Sequence, residues 1–218
     1  LASRAQIMVV GLGRFGSAAA SSLVELGQDV IGVDNDAKLV QRNAAMLSEA
    51  VQVDATDIDA MRLIGALDVQ TAVVAIGNDI EASILAASVL LELEVPRVWA
   101  KAVSDRHGRI LERLGVHRVV FPERDMGDRV AHGLVGLAID FVLIGADFAM
   151  AETTAPKEAL GRTLAEVGLR SKYDVTVVCT KAPGGRFSLT GPDTVLLPDD
   201  ILLVIGEKEN VERFSRLD

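Results

Sequence analysis

The sequence predicts an α/β chain, a parallel sheet with helices on both faces followed by a small α+β lobe. Three observations carry this. From Ile7 to about Pro122, short apolar runs of strand length alternate with helical patterns, and such alternation builds a parallel sheet through right-handed crossovers. The first strand runs directly into a glycine turn, Gly11-Leu12-Gly13-Arg14-Phe15-Gly16, and then into a helix. Beyond Ala146 the pattern changes to strands separated by Pro and Gly turns.

The candidate strands of the first part are Ile7–Val10, Val30–Val33, Val51–Val53, Thr71–Ala75, Val98–Lys101 and Arg118–Phe121. Ile7–Val10 is the continuous apolar run that a strand covered on both faces needs. Helical patterns lie between them at Ser17–Leu26, Ala37–Met46, Asp57–Leu63, Ile80–Leu93 and Asp105–Leu114. A helix is then expected from Asp125, after a Pro-Glu-Arg turn, to about Leu137, with Met126, Val130, Leu134 and Leu137 at helical spacing. The apolar run Ala138–Ile144 reads either as a helix packed on a partner subunit or as a linker. In the last part, strands are expected at Phe148–Thr154, Tyr173–Lys181 and Ile201–Ile205. A short helix around Thr163–Glu166, a hairpin at Pro183–Leu189 and a terminal helix at Glu207–Leu217 accompany them. The expected division is 1–137, with 138–146 as crossover and 147–218 as the second lobe. A lobe this small gains stability by pairing with its own copy.

The chain has 218 residues, half of them hydrophobic, and a formal net charge of −9. That balance argues against a general binder of phosphate backbones, which carries a basic face, without excluding a local cationic pocket. A single cysteine, Cys179, cannot form an intrachain disulfide, and a reducing cytoplasmic setting is expected. The stretch Leu134–Ala151 is broken by Asp140 and Asp147, so a soluble chain is expected. Leu1 stands where an initiator methionine would, which suggests a sequence cut from something longer.

The glycine turn is the candidate site. Gly11 permits the tight turn, Gly13 lets backbone approach a phosphate, and Gly16 lets the helix pack against the strand. The helix N-terminus offers N–H groups and partial positive charge to an anion. Asp34, 18 residues beyond Gly16 at the end of the second strand, suits a ribose hydroxyl and repels a 2′-phosphate. The strand-turn-helix context with the acid in place makes this Rossmann-like fingerprint specific. Ligands in such sheets sit beyond the carboxyl ends of the strands, which adds Asn35, Asp36, Asp54, Ala55, Thr56, Ile76, Gly77 and Asn78, with Lys101 and Pro122–Asp125. Arg14 and Phe15 lie within the loop itself, and Arg14 is read as a phosphate contact. Lys101 is either a phosphate contact or a surface lysine. Asp125 is read as a helix cap, and Glu123 either as a cap or as a ligand of a divalent cation beside phosphates. The three histidines pair with no nucleophile or carboxylate cluster, so no catalytic residue is expected.

GLGRFG with VDND, DATD at Asp54–Asp57, AIGNDIEAS at Ala75–Ser83, VWAKA at Val98–Ala102 and FPERDMG at Phe121–Gly127 together resemble the RCK (KTN) family. They most resemble the cytosolic regulatory subunits of bacterial Ktr/Trk potassium uptake systems, with TrkA-N and TrkA-C lobes. The resemblance implies a homo-oligomer of dimers closing into an octameric ring on a membrane potassium-translocating subunit, at the inner face of the cell membrane. It implies ATP or ADP, or NAD(H) in some members, bound at Gly11, Leu12, Gly13, Arg14, Phe15 and Gly16, with Asp34 at the ribose. Lys101 would then contact phosphate, and Glu123 would sit near Mg2+ or another divalent cation. In some relatives the second lobe takes cyclic di-AMP, which here would involve Arg170, Tyr173 and Pro192. The rival readings are the gating domain of a potassium channel and a small NAD-dependent oxidoreductase.

Overall fold

The computed structural model describes residues 6–135, 138–145 and 147–217. The expectations that fall on Leu1, Leu137 and Ala146 lie outside the described residues. The chain divides into two units after Glu123.

In the first unit the described strands are β1 (Gln6–Val10), β2 (Asp29–Asp34), β3 (Glu49–Gln52), β4 (Thr71–Val74), β5 (Val98–Lys101) and β6 (Arg118–Val120). The helices between them are α1 (Arg14–Glu25), α2 (Ala37–Asn43), α3 (Ile58–Leu63), α4 (Ile80–Glu92) and α5 (Asp105–Leu114). All five pairings are parallel, in the order β3-β2-β1-β4-β5-β6. The order reverses between β1 and β4, so a crevice opens at their carboxyl ends. Each face has its own core. Met8, Val10, Val33, Val74 and Ala100 pack with Met61, Leu90 and Leu111 of α3, α4 and α5. On the other face Val9 and Val30 pack with Ala20 of α1 and Leu47. Strand residues from both faces are fully buried, which is why these strands read as unbroken apolar runs.

Helix starts follow local chemistry. Asp36, Asp57, Asp79 and Ser104 each accept backbone N–H bonds at the first turns of α2, α3, α4 and α5. α1 has no such cap: Gly13 precedes it and contributes no side-chain bond. Helix α6 (Pro122–Leu134) begins three residues before the expected Asp125. Proline at the first helical position has φ already set and no N–H to leave unsatisfied, so the helix starts at Pro122 and Asp125 lies inside its first turn.

The second unit holds β7 (Asp140–Ile144), β8 (Phe148–Thr154), β9 (Val175–Lys181), β10 (Ser188–Leu189) and β11 (Ile201–Glu207). They form an antiparallel sheet in the order β10-β9-β11-β8-β7. Helices α7 (Leu164–Val167), α8 (Leu169–Tyr173) and α9 (Lys208–Phe214) accompany it. The run expected as a linker or partner-packed helix is instead edge strand β7, with Asp140 opposite Glu152 and Ile144 opposite Phe148. Gly145, at φ +80°, permits the reversal. Phe141 is buried while Val142, Leu143 and Ile144 stay exposed, so no period marks the strand in sequence. Val175, Val204, Val211 and Phe214 are among the core residues of this lobe. Among the described residues, no helix is long and apolar enough to cross a membrane.

His107, in the first turn of α5, is almost fully buried and its Nε2 has no hydrogen-bond partner. Burial holds its pKa below the ordinary value. The unfolded chain therefore takes up a proton near pH 6.5 that the folded chain refuses. Stability is expected to fall as pH drops below about 6.5, by at most about 1.4 kcal/mol per pH unit, until the folded pKa is reached. Urea midpoints at pH 7.5 and 5.5 check this: His107→Gln should show a smaller drop than wild type, and equal drops would refute it.

Candidate functional site: a crevice at the strand ends

The site is built outward from the turn after β1. Gly11 adopts φ +93°, and a Cβ there would lie 3.1 Å from the Ala75 carbonyl carbon and the Ile76 nitrogen. Its N–H donates to the Val33 carbonyl at 2.7 Å. The turns after β1 and β4 are thus in contact at the reversal point of the sheet. Gly16 is under a harder constraint, because a Cβ there would stand 1.7 Å from the Gly11 carbonyl oxygen. Gly13 is different: a Cβ there would meet nothing within 4 Å. Its missing side chain leaves open space in front of the uncapped end of α1, whose first turn holds no acidic residue. Open space, free N–H groups and a helix dipole are what an anionic group requires.

Asp34 is tied into this loop. Its carboxylate accepts from the Leu12 N–H at 2.6 Å and from the Asp36 N–H at 2.8 Å. One bond falls on each oxygen, leaving on each a lone pair able to accept from a further donor. Asp36 caps α2 through Lys38 N. The Asn35 carbonyl accepts from Gln52 Nε2 at 3.1 Å, so Gln52, which the sequence did not single out, helps to shape the rim. Asp54 accepts both the N–H and the hydroxyl of Thr56, at 2.9 and 2.8 Å. Those bonds, the backbone one foremost, hold its carboxyl below the usual carboxylate range. Ala55 beside them is buried.

Lys101 closes the far side. It is 7% exposed, and its ammonium is paired with Glu123. Nζ lies 5.6 Å from the centroid of the Phe15 ring, and a Cβ on Gly77 would come 3.0 Å from it. The surface-lysine alternative is excluded by this burial. The hydrogen bond from Lys101, with Coulombic help from Lys101 and Arg14, holds the Glu123 carboxyl below its ordinary value. Lys101 and Glu123 are 22 residues apart, and no local signal in the sequence joins them. Among the described residues, no three His, Cys, Asp or Glu side chains group to hold a metal ion.

In the second unit, Arg170 lies exposed on α8. The Tyr173 hydroxyl donates to Glu158, which also pairs with Lys172 at 2.6 Å. The Pro192 carbonyl accepts from Ala165 N at 2.9 Å at the start of α7.

Comparison with known families matches the TrkA-N domain over residues 7–122 and the TrkA-C domain over residues 149–217. The chain belongs to the TrkA-N/TrkA-C family. It is 34% identical to the Ktr system potassium uptake protein C of Bacillus subtilis (strain 168), covering 97% of this chain and 96% of the relative. It is 30% identical to Ktr system potassium uptake protein A of the same organism, over 96% and 95% of the two chains. Among solved structures, the GsuK channel bound to NAD matches with a TM-score of 0.66 at 15% identity, covering 99% of this chain and 40% of that one. GsuK bound to ADP matches at 0.53 and 24% identity, over 60% and 34%. The first of these two likenesses, over nearly the whole chain, establishes the shared fold, a Rossmann-like sheet followed by the antiparallel lobe.

Two glycine variants separate packing from ligand access. Gly16→Ala forces the Gly11 carbonyl aside and is expected to cost about 3 kcal/mol or more. Gly13→Ala replaces one helix-end residue by a poorer one and should cost less than about 1 kcal/mol. Thermal melts of the two proteins check this ordering.

Proposed function

We propose that this protein is a nucleotide-binding regulatory subunit of a bacterial potassium uptake transporter, with no catalytic turnover of its own. The observation that carries the reading is the uncapped, unobstructed end of α1 beside an Asp34 carboxylate already oriented by Leu12 and Asp36. When bound, ATP or ADP would place its phosphates against the backbone of Gly11, Gly13 and Gly16, with Arg14 and Lys101 supplying positive charge. Asp34 would accept from the ribose. Asn35, Asp36, Asp54–Thr56 and Ala75–Gly77 would line the rest of the crevice. NAD(H) suits the same acid, and solved structures of the same fold contain NAD or ADP. Glu123 would help hold Mg2+ or another divalent cation beside the phosphates. If the second lobe takes cyclic di-AMP, Arg170, Tyr173 and Pro192 would be its contacts. The relatives matched along nearly their whole length are potassium uptake proteins and not oxidoreductases, which disfavours the oxidoreductase reading.

The working unit would be a homo-oligomer, dimers closed into an octameric ring, docked on a membrane subunit at the cytoplasmic face. Met126, Val130 and Leu134 fall at i, i+4, i+8 on α6, are all exposed, and none of the helix is buried. An unpartnered apolar stripe of this kind fits a second copy. A ligand shifts such a ring only by binding one of its shapes better than another. The gating domain of a channel is the second reading, because nearly all of this chain superposes on part of a channel chain. The near-complete mutual coverage with the Ktr relatives favours the uptake subunit.

Calorimetric titration with ATP, ADP, NADH and cyclic di-AMP, with and without Mg2+, tests the reading. ATP and ADP should bind, and Asp34→Ala should weaken them at least about tenfold, the loss of a charge-assisted bond pair. Arg170→Ala should affect cyclic di-AMP alone. Binding of NADH only would turn the reading towards a redox sensor or an enzyme. Val130→Glu with Leu134→Glu is expected to give smaller species by light scattering, and an unchanged mass would remove α6 from the interface.

A further inference from the structure

Glu123 already occupies the place of an anion. Its carboxylate is paired with the buried ammonium of Lys101 and lies within the field of Arg14, the two cations expected to receive phosphate. Lys101 is held from every side that the crevice offers: the Phe15 ring of the glycine loop lies to one side and Gly77 to another. The lysine side chain is 9% exposed whereas the glutamate is 64% exposed, so the cation is enclosed and the carboxylate is the partner that can turn to solvent. Glu123 is also the second residue of α6, the helix that leads into the second unit. A buried ammonium requires a counter-charge. It has three N–H donors, but a phosphate brought onto Lys101 would set its charge against the Glu123 carboxylate, so the two anions compete for one cation.

We infer that Glu123 is an internal competitor for the nucleotide's phosphate: it neutralises Lys101 while the crevice is empty, and phosphate displaces it, releasing the first turn of α6. This rests on the nucleotide reading above and adds to it the route by which occupancy reaches the helix. The glutamate, once released, is free to meet a cation beside the phosphates. Apparent affinity for nucleotide is lowered by the fraction of molecules in which the pair is closed. A pair closed nine-tenths of the time lowers it about tenfold.

The test uses the full chain in EDTA, with ADP as probe. Calorimetry gives affinity, and amide hydrogen exchange across residues 124–130 reads α6. In wild type, saturating ADP should speed exchange in that segment several-fold. Glu123→Gln should show the fast exchange without ligand and bind ADP about tenfold more tightly. Lys101→Gln should show the same fast exchange but bind ADP more weakly. Opposite effects on affinity with one effect on the helix identify competition, since loss of simple charge repulsion would leave α6 exchange in the ligand-free protein unchanged. If Lys101→Gln fails to fold, the exposed Glu123 position carries the test. ADP binding with α6 exchange indifferent both to ADP and to Glu123→Gln overturns the competition and leaves the nucleotide reading standing. Failure of wild type to bind ATP, ADP or NADH overturns both.

Discussion

The approach of Gly16 to the Gly11 carbonyl is the contact on which the first unit depends. It lets α1 begin directly against the end of β1, with its first N–H groups turned towards the crevice instead of being capped by a side chain. Every other described helix start in this unit that carries a cap spends those donors on an Asp or Ser. At α1 they are left for something from outside. The same turn touches the backbone after β4, and its Leu12 N–H orients Asp34. One close contact thus joins three strand ends into a single surface.

Charge is arranged locally and not globally. The chain carries a net charge of −9, yet Arg14 and Lys101 stand together at the glycine loop. The desolvation of Lys101 would be costly without a counter-charge, and Glu123 supplies it. The glutamate is largely exposed while the lysine is not, so only one partner of the pair is desolvated. The acid on the opposite rim, Asp34, is held by backbone N–H groups alone. The crevice therefore has a carboxylate at one end and two cations at the other.

The second unit is held differently. Its sheet is antiparallel, with one face on a small core and much of β7 exposed. Arg129 of α6 forms a two-pronged ion pair with Asp140, and His132 stacks on Phe141 at 3.9 Å. His132 also meets Glu212 of α9 at 3.0 Å. These contacts fix α6 to the lobe along one side while leaving Met126, Val130 and Leu134 outward.

What the sequence determined by itself was whatever is encoded within a few residues. The central strands β1, β2 and β4 were legible because strands buried on both faces leave apolar runs, whereas edge strand β3, Glu49–Gln52, is only half-buried and overlaps the expected Val51–Val53 in part. The glycine loop was legible because backbone clashes restrict Gly11 and Gly16 to glycine. Asp34 was legible from its spacing. The start of α6 and the nature of Asp140–Ile144 were not, since a proline serves a turn or a first helical turn equally, and a half-exposed edge strand with no alternation looks like any apolar run. The Lys101–Glu123 pair, the Gln52 bond to Asn35 and the anchoring of Tyr173 by Glu158 were decided only by tertiary structure. Each joins residues 15 or more positions apart, 22, 17 and 15 respectively, and only the fold brings such side chains within reach of a hydrogen bond.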